Sequence, residues 1–280
     1  MKGCDNMEYN TRVKQFLKGT QVTLYNKTFE RDSIKFLEEK KINERFTKAF
    51  KNEERTEEEK ERCLMMSIKK TKNLIYDIAR SNKWEWFITL TFDRKLFDST
   101  DLDTVIDELH KMMMNLRNRY CPNLKYIIVP ELHKDGEHYH FHGLLSDCGK
   151  QYKWVNGVRC EYKGMTFVYS GQDDYKSGRP IYNMPQWKCG WATATEIGDS
   201  LKASAYITKY MTKECVCVLE NRKRFYASHN VDRPQEDYIF TNIDEVVENI
   251  GQYISYSKTV EIPQAHLQVR YFELNEIGGI

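Results

Sequence analysis

The sequence predicts an α+β protein built on an antiparallel sheet, and three observations carry that expectation. Runs rich in aromatic and β-branched residues, WEWFITLTF (84–92) and LKYIIVPEL (124–132), read as strands. Between them Leu102, Val105, Ile106, Leu109, Met112, Met113 and Leu116 recur at helical spacing. Asp135-Gly136 is a hairpin turn signal that joins the second run to a third, EHYHFHGLL (137–145). The order β-α-β-β, followed by an insertion, a helix and a strand, is that of an α+β domain with a central antiparallel sheet and flanking helices.

The remaining elements follow in chain order. Residues 33–80 read as two charged helices, the second opened by a capping box of Thr56 and Glu59. Its stripe is Leu64, Ile68, Thr71, Ile75 and Ile78, so residues 1–83 are expected to form an N-terminal helical extension. Thr100 and Asp103 are expected to cap the helix that follows the first strand. Residues 148–198, punctuated by Asn156-Gly157 and Lys163-Gly164, read as an insertion of ribbon and loop within a domain spanning 84–230. Asp199 or Ser200 caps a helix running through SLKASAYITKYMTK, and KRFYAS (223–228) reads as another strand. NIDEVVENIGQYIS (242–255) reads as a terminal helix in an acidic helical segment, 231–280.

Composition bounds the class. The chain has 280 residues, 40% hydrophobic and 30% charged, enough for one good core with extensions. No apolar run approaches the ~20 residues that span a bilayer. The segment MKGCDNMEYNTRVKQF lacks the apolar stretch of a secretion signal, so a cytoplasmic protein with no membrane partner is expected. Eight cysteines without a C-x-x-C pair read as reduced thiols rather than a zinc site. From Asp232 onward three basic residues face nine acidic ones, a local charge of −6 that leaves +8 on the rest. A mildly basic body is compatible with a nucleic-acid partner.

Two constellations carry chemistry. A type I′ turn at Asp135-Gly136 would pair His133 with His138 and Glu131 with His140. The two-residue period of a strand then sets Glu131, His133, His138, His140 and His142 on one face. A carboxylate with two or three imidazoles can hold a divalent metal, and which imidazoles converge depends on the register. The second constellation is YITKYMTK (206–213), a tandem Y-x-x-K. At 100° per residue Lys202, Tyr206, Lys209, Tyr210 and Lys213 share one arc, while Leu201, Ser204, Ile207, Thr208 and Met211 cover the other side. Cations favour the phenolate, an oxygen nucleophile suited to covalent catalysis.

The set WFITLTFD, HYHFHGLL and YITKYMTK, in that order, resembles the HUH endonucleases, and within them the rolling-circle replication initiators of small plasmids and single-stranded DNA phages. The resemblance spans Trp84 to Ser228. It implies a ferredoxin-like or RRM-like core, and Mg²⁺ or Mn²⁺ held by His140, His142 and Glu131, with His138 as the alternative ligand. It implies Tyr206 as the nucleophile, Lys209 at the phosphate and Tyr210 as a possible second phenol. DNA contacts would come from Lys202, Lys213, Thr89 and Thr91. The implied reaction nicks a single-stranded origin or origin hairpin, leaves a 5′-phosphotyrosine and a free 3′-OH, and later rejoins the strand. No G-x-x-x-x-G-K-[ST] occurs, so unwinding and synthesis would fall to a host helicase and DNA polymerase in the bacterial cytoplasm. Two other classes compete: an origin-binding module without catalysis, and a metal-dependent small-molecule hydrolase.

Overall fold

The computed structural model describes residues 7–31, 56–146, 153–155, 159–162, 165–212 and 222–275. In chain order the elements are β1 (Met7–Gln15), β2 (Thr20–Arg31), α1 (Glu57–Ser81), β3 (Trp86–Phe92), α2 (Leu102–Asn115), β4 (Tyr126–Leu132) and β5 (Tyr139–Leu145). Next come β6 (Lys153–Val155), β7 (Arg159–Tyr162), β8 (Met165–Asp173), β9 (Pro180–Asn183), β10 (Gly190–Glu196), α3 (Ser200–Ile207) and β11 (Tyr226–Ala227). The last are β12 (Gln235–Ile239), α4 (Ile243–Ile250), β13 (Ile254–Ile262) and β14 (Leu267–Leu274). The protein is α+β, with two antiparallel sheets and four α-helices among the described residues, an arrangement compatible with an HUH nuclease core. Among those residues no helix is long and apolar enough to cross a membrane.

The chain divides into two compact units, Met1–Cys63 with Pro234–Ile280, and Leu64–Arg233. The first holds a five-stranded sheet in the order β12-β1-β2-β14-β13. Val22, Leu24, Phe272 and Leu274 are buried together, with Val246, Val247 and Ile250 of α4 packed on them. This corrects two expectations. Residues 7–31 form a hairpin and 254–274 form another, where helical segments were expected; only 243–250 of the terminal helix is helical. Alternation accounts for it: Val22 and Leu24 point one way from β2, and Gly19, at φ 76°, supplies the turn before it. The first of the two helices expected within 33–80 lies outside the described residues.

The second unit holds a nine-stranded sheet, β11-β4-β5-β3-β10-β9-β8-β7-β6. Burial alternates along β3, so Trp86, Ile88, Leu90 and Phe92 face the core beneath α2, which contributes Val105, Leu109, Met112 and Met113. The opposite face meets α1 and the chain after α3: Ile127, Val129 and Leu144 pack with Ile68, Ile75, Ile78, Ile207 and Met211. The capping box of α1 is present, with reciprocal bonds between Thr56 and Glu59. The cap of α2 is Asp101, which accepts from the Thr104 backbone N–H; Thr100 is turned to Asp98 instead. Asp199 caps α3 by accepting from the N–H groups of Leu201 and Lys202.

Two further differences bear on the site. The segment 148–198 is not wholly an appendage, because β10 pairs with β3 from Gly190–Phe92 to Glu196–Trp86 and belongs to the central sheet. The turns at 156–157 and 163–164 lie outside the described residues. Cys63 and Cys189 are free thiols as expected, whereas Cys121 is disulfide-bonded.

Candidate active site

Register places the candidate ligands. Strand β5 lies between β3 and β4, pairing Glu131 with His140 on one side and Thr91 with His140 on the other. The next row along joins Val129, His142 and Thr89, and the row after that Ile127, Leu144 and Phe87. Paired residues point to the same face. One face of the sheet therefore changes along its strands from the apolar floor under the helices to a polar end carrying the imidazoles.

The turn that sets this register differs from type I′. The Gly136 N–H donates to the His133 carbonyl at 2.8 Å, and Gly136 alone of the turn has positive φ, 76°. The His133 N–H donates to the His138 carbonyl at 2.7 Å, so the His133–His138 and Glu131–His140 pairings hold despite the wider loop. Asp135 closes that loop by accepting from the N–H groups of Glu137 and His138.

Glu131, His140 and His142 offer three ligand atoms within 4.8 Å of one another. Glu131 Oε2 lies 2.7 Å from His140 Nε2 and 2.9 Å from His142 Nε2, and the two imidazole nitrogens are 3.2 Å apart. Two nitrogen lone pairs and a carboxylate converging on one point suit a divalent cation, and the N,N,O donor set fits the expected metal. His138 is not brought in: its Nδ1 bonds Asp135 Oδ2 at 2.9 Å, a partner the loop supplies. His133 approaches only ring to ring, 5.5 Å from His140.

The Thr89 hydroxyl lies 3.1 Å from His142 Nδ1. It fixes the ring and leaves Nε2 directed at the carboxylate, the usual office of a partner behind a metal-ligating histidine. Burial lowers the pKa of His142 against the pull of Glu131, which favours the neutral, ligating form. Burial opposes ionisation of Glu131, but hydrogen bonds from His140 and His142 outweigh it and bring the carboxyl down to about 2.

The tyrosines stand over this group. Helix α3 ends at Ile207 and Thr208–Tyr210 continues as a 3₁₀ turn, which tightens the winding assumed for a continuous helix. Tyr210 stacks on His142 with centroids 3.6 Å apart and planes 16° apart. Tyr206 meets Tyr210 edge-on at 5.4 Å, and Phe87 lies under both, 5.4 Å from Tyr206 and 6.1 Å from Tyr210. The Lys209 ammonium sits over the Tyr206 ring, 4.9 Å from its centroid. Burial, then the contact with Tyr206, pushes the Tyr210 phenol up; Tyr206 remains 44% exposed.

Of the other expected contacts, Lys202 is exposed and paired with Asp199 at 3.4 Å, and Lys213 lies outside the described residues. Thr91 shares the row of His140. Leu201, expected on the packing side of its helix, is exposed because it lies in the first turn, short of the floor that Ser204, Ile207 and Met211 reach. Sequence reasoning missed the roles of Phe87 and Thr89 beneath the site, although the alternation in WFITLTF puts both on one face.

A histidine pair and a carboxylate on adjacent strands, beneath two tyrosines on a helix, narrow the families to which such a chain compares. Residues 85–215 match the family of Replication-associated protein ORF2. This match assigns the region to that family and is consistent with a rolling-circle replication initiator of the HUH type. The matched region runs from the residue before β3 to just beyond the two tyrosines, so it takes in every ligand and both phenols. No curated protein and no solved structure matches the chain.

Proposed function

We propose that the chain is a replication initiator that nicks single-stranded DNA at its origin and later reseals it. The Tyr206 oxygen attacks the scissile phosphorus as the bond from phosphorus to the 3′ oxygen breaks. The phenolic proton is given up to solvent, and the leaving 3′ oxygen takes up a proton. The products are a 5′-phosphotyrosine and a free 3′-OH that primes synthesis; attack of a 3′-OH on that phosphotyrosine releases Tyr206 and restores the phosphodiester.

The chain's own groups have distinct tasks in this scheme. Tyr206 is the more exposed phenol and lies under the Lys209 ammonium, which favours its phenolate and can meet a phosphate oxygen. A divalent ion held by Glu131, His140 and His142, Mg²⁺ or Mn²⁺, would supply Lewis-acid polarisation of the scissile phosphate. Thr91 and Lys202 flank this region as contacts for the strand. Helicase and polymerase partners of a bacterial host complete the cycle in its cytoplasm.

The observation that carries the reading is the stack of Tyr210 on His142, which puts a helix bearing two phenols against a metal-binding triad. Its test is a covalent-adduct assay with Mn²⁺ and single-stranded oligonucleotides from the chain's own replicon. An SDS-resistant conjugate is expected, abolished by EDTA and greatly reduced in Tyr206→Phe. His140→Ala and His142→Ala should each remove nicking while keeping most DNA binding. An undiminished conjugate in Tyr206→Phe would move the nucleophile elsewhere, and absence of any conjugate with either metal would leave only a DNA-binding module.

A further inference from the structure

Strand β10 extends the polar end of the active-site face past β3. Its register pairs Trp191 with Thr91 and Thr193 with Thr89, so one row reads Glu131, His140, Thr91, Trp191 across four strands. The row beside it reads Val129, His142, Thr89, Thr193, Asn183. Glu131 is the one carboxylate in those two rows, and the others past the histidines are neutral hydroxyl, amide and indole groups. A phosphodiester backbone laid along this face meets no further acid.

Trp191 is 63% exposed, whereas Trp84, Trp86 and Trp187 are all buried. Its alternate neighbours, Ala192 and Ala194, turn into the core under α2, so strand geometry holds the indole on the triad's side of the sheet. Its position is fixed by close backbone packing. A Cβ on Gly190 would lie 2.5 Å from the Asp93 nitrogen and 2.8 Å from the Phe92 carbonyl carbon, which presses the start of β10 onto the end of β3. The Trp187 indole N–H also donates to the Thr91 carbonyl at 3.0 Å. Two strand spacings separate Trp191 from His140 along the row, roughly 10 Å between backbones.

We propose that Trp191 is a base-stacking subsite, which holds the unstacked nucleobase of a nucleotide next to the scissile phosphate and so sets the path of the strand across β3 and β10. The inference rests on the nuclease reading for the position of that phosphate. A rigid indole suits the task, because every base offers a π-face and stacking needs no particular sequence. Specific recognition would then lie elsewhere, and this subsite would act on registration of the strand over the triad.

The test uses binding without chemistry: the full chain in EDTA, with a labelled thymidine oligonucleotide and an abasic sugar-phosphate strand of equal length. Wild type is expected to prefer the thymidine strand. Trp191→Ala should weaken that complex roughly ten-fold or more and leave the abasic complex unchanged, with the same salt dependence for both proteins. Trp191→Phe should retain most of the preference, which separates stacking from a folding defect. Equal weakening on both strands, or no weakening, overturns the proposal. So does loss of self-association in Trp191→Ala with DNA binding unchanged, which would make the indole a contact between copies. A thymidine-specific loss without any covalent adduct in Mn²⁺ would sustain the subsite and sink the nuclease reading; an intact adduct with no effect of Trp191→Ala would do the reverse.

Discussion

The imidazole of His142 lies face to face with the phenol ring of Tyr210, 3.6 Å between centroids. The contact joins the strand that carries the ligands to the 3₁₀ turn that carries the second tyrosine. Ring area, and not the hydroxyl, makes the stack. Tyr210→Phe should therefore leave Mn²⁺ affinity and the first covalent adduct near wild type, whereas Tyr210→Ala should weaken Mn²⁺ binding by freeing the imidazole. Titration calorimetry on the two variants checks this. Equal loss in both would mean that the hydroxyl, not the ring, supports His142.

Thr89 stands behind the same imidazole. Thr89→Val keeps the β-branched shape and removes the hydroxyl 3.1 Å from Nδ1. Partners of this type contribute roughly ten- to hundred-fold to metal affinity. The expected outcome is a loss of that order in Mn²⁺ binding, with melting temperature nearly unchanged and Thr89→Ser partly restoring affinity. Unchanged affinity in Thr89→Val would show that packing by Phe87 and Tyr210 alone orients the ring.

Burial holds His142 below the ordinary imidazole value of ~6.5. The unfolded chain therefore binds the proton first as pH falls, so stability contributed by the neutral ring is present above ~6.5 and declines as pH drops toward the lower native value. Glu131, brought down to about 2, works in the same direction over a more acid range: its contribution is present above the usual carboxyl value and is lost as pH falls toward about 2. Metal-free protein should melt progressively lower from pH 7 to pH 5, and His142→Gln should flatten the upper part of that slope. An NMR titration of the His142 ring with a midpoint above ~6.5 would contradict the assignment.

Much of this site is legible in the sequence, for physical reasons. The two-residue period of a strand is strict, so a turn dipeptide and the spacing of Glu131, His140 and His142 are enough to set the three on one face. The turn is not the type I′ that the dipeptide suggests, and the register survives because Asp135 stabilises a wider loop that pairs the same residues. Strand β10 escapes because GWATATE buries only two alanines, a signal too small for a hydrophobic pattern. The first unit's sheet joins strands from both chain ends, β1–β2 and β12–β14, and local periodicity carries no record of which distant strands pair. His138 has the right face and the wrong partner, since nothing in its spacing reveals that Asp135 will claim it.

Gly143, on the ligand strand directly after His142, offers the last test, this time of the scaffold. A Cβ there would collide with Ile128 Cδ1 and come within 2.9 Å of the Ile127 carbonyl oxygen. The side-chain end can rotate away, but the carbonyl belongs to β4, whose pairing with β5 places Glu131 opposite His140. Gly143→Ala is thus expected to cost about 1–3 kcal/mol through overpacking and to spread β4 from β5. Both consequences are measurable: a lower melting temperature, and weaker Mn²⁺ binding than the stability loss alone would produce. Adding Ile128→Val removes the methyl that collides and should recover only part of the stability, because the carbonyl remains. Full recovery in the double variant would show that the side chain was the whole obstacle and that the spacing of the two strands does not depend on glycine.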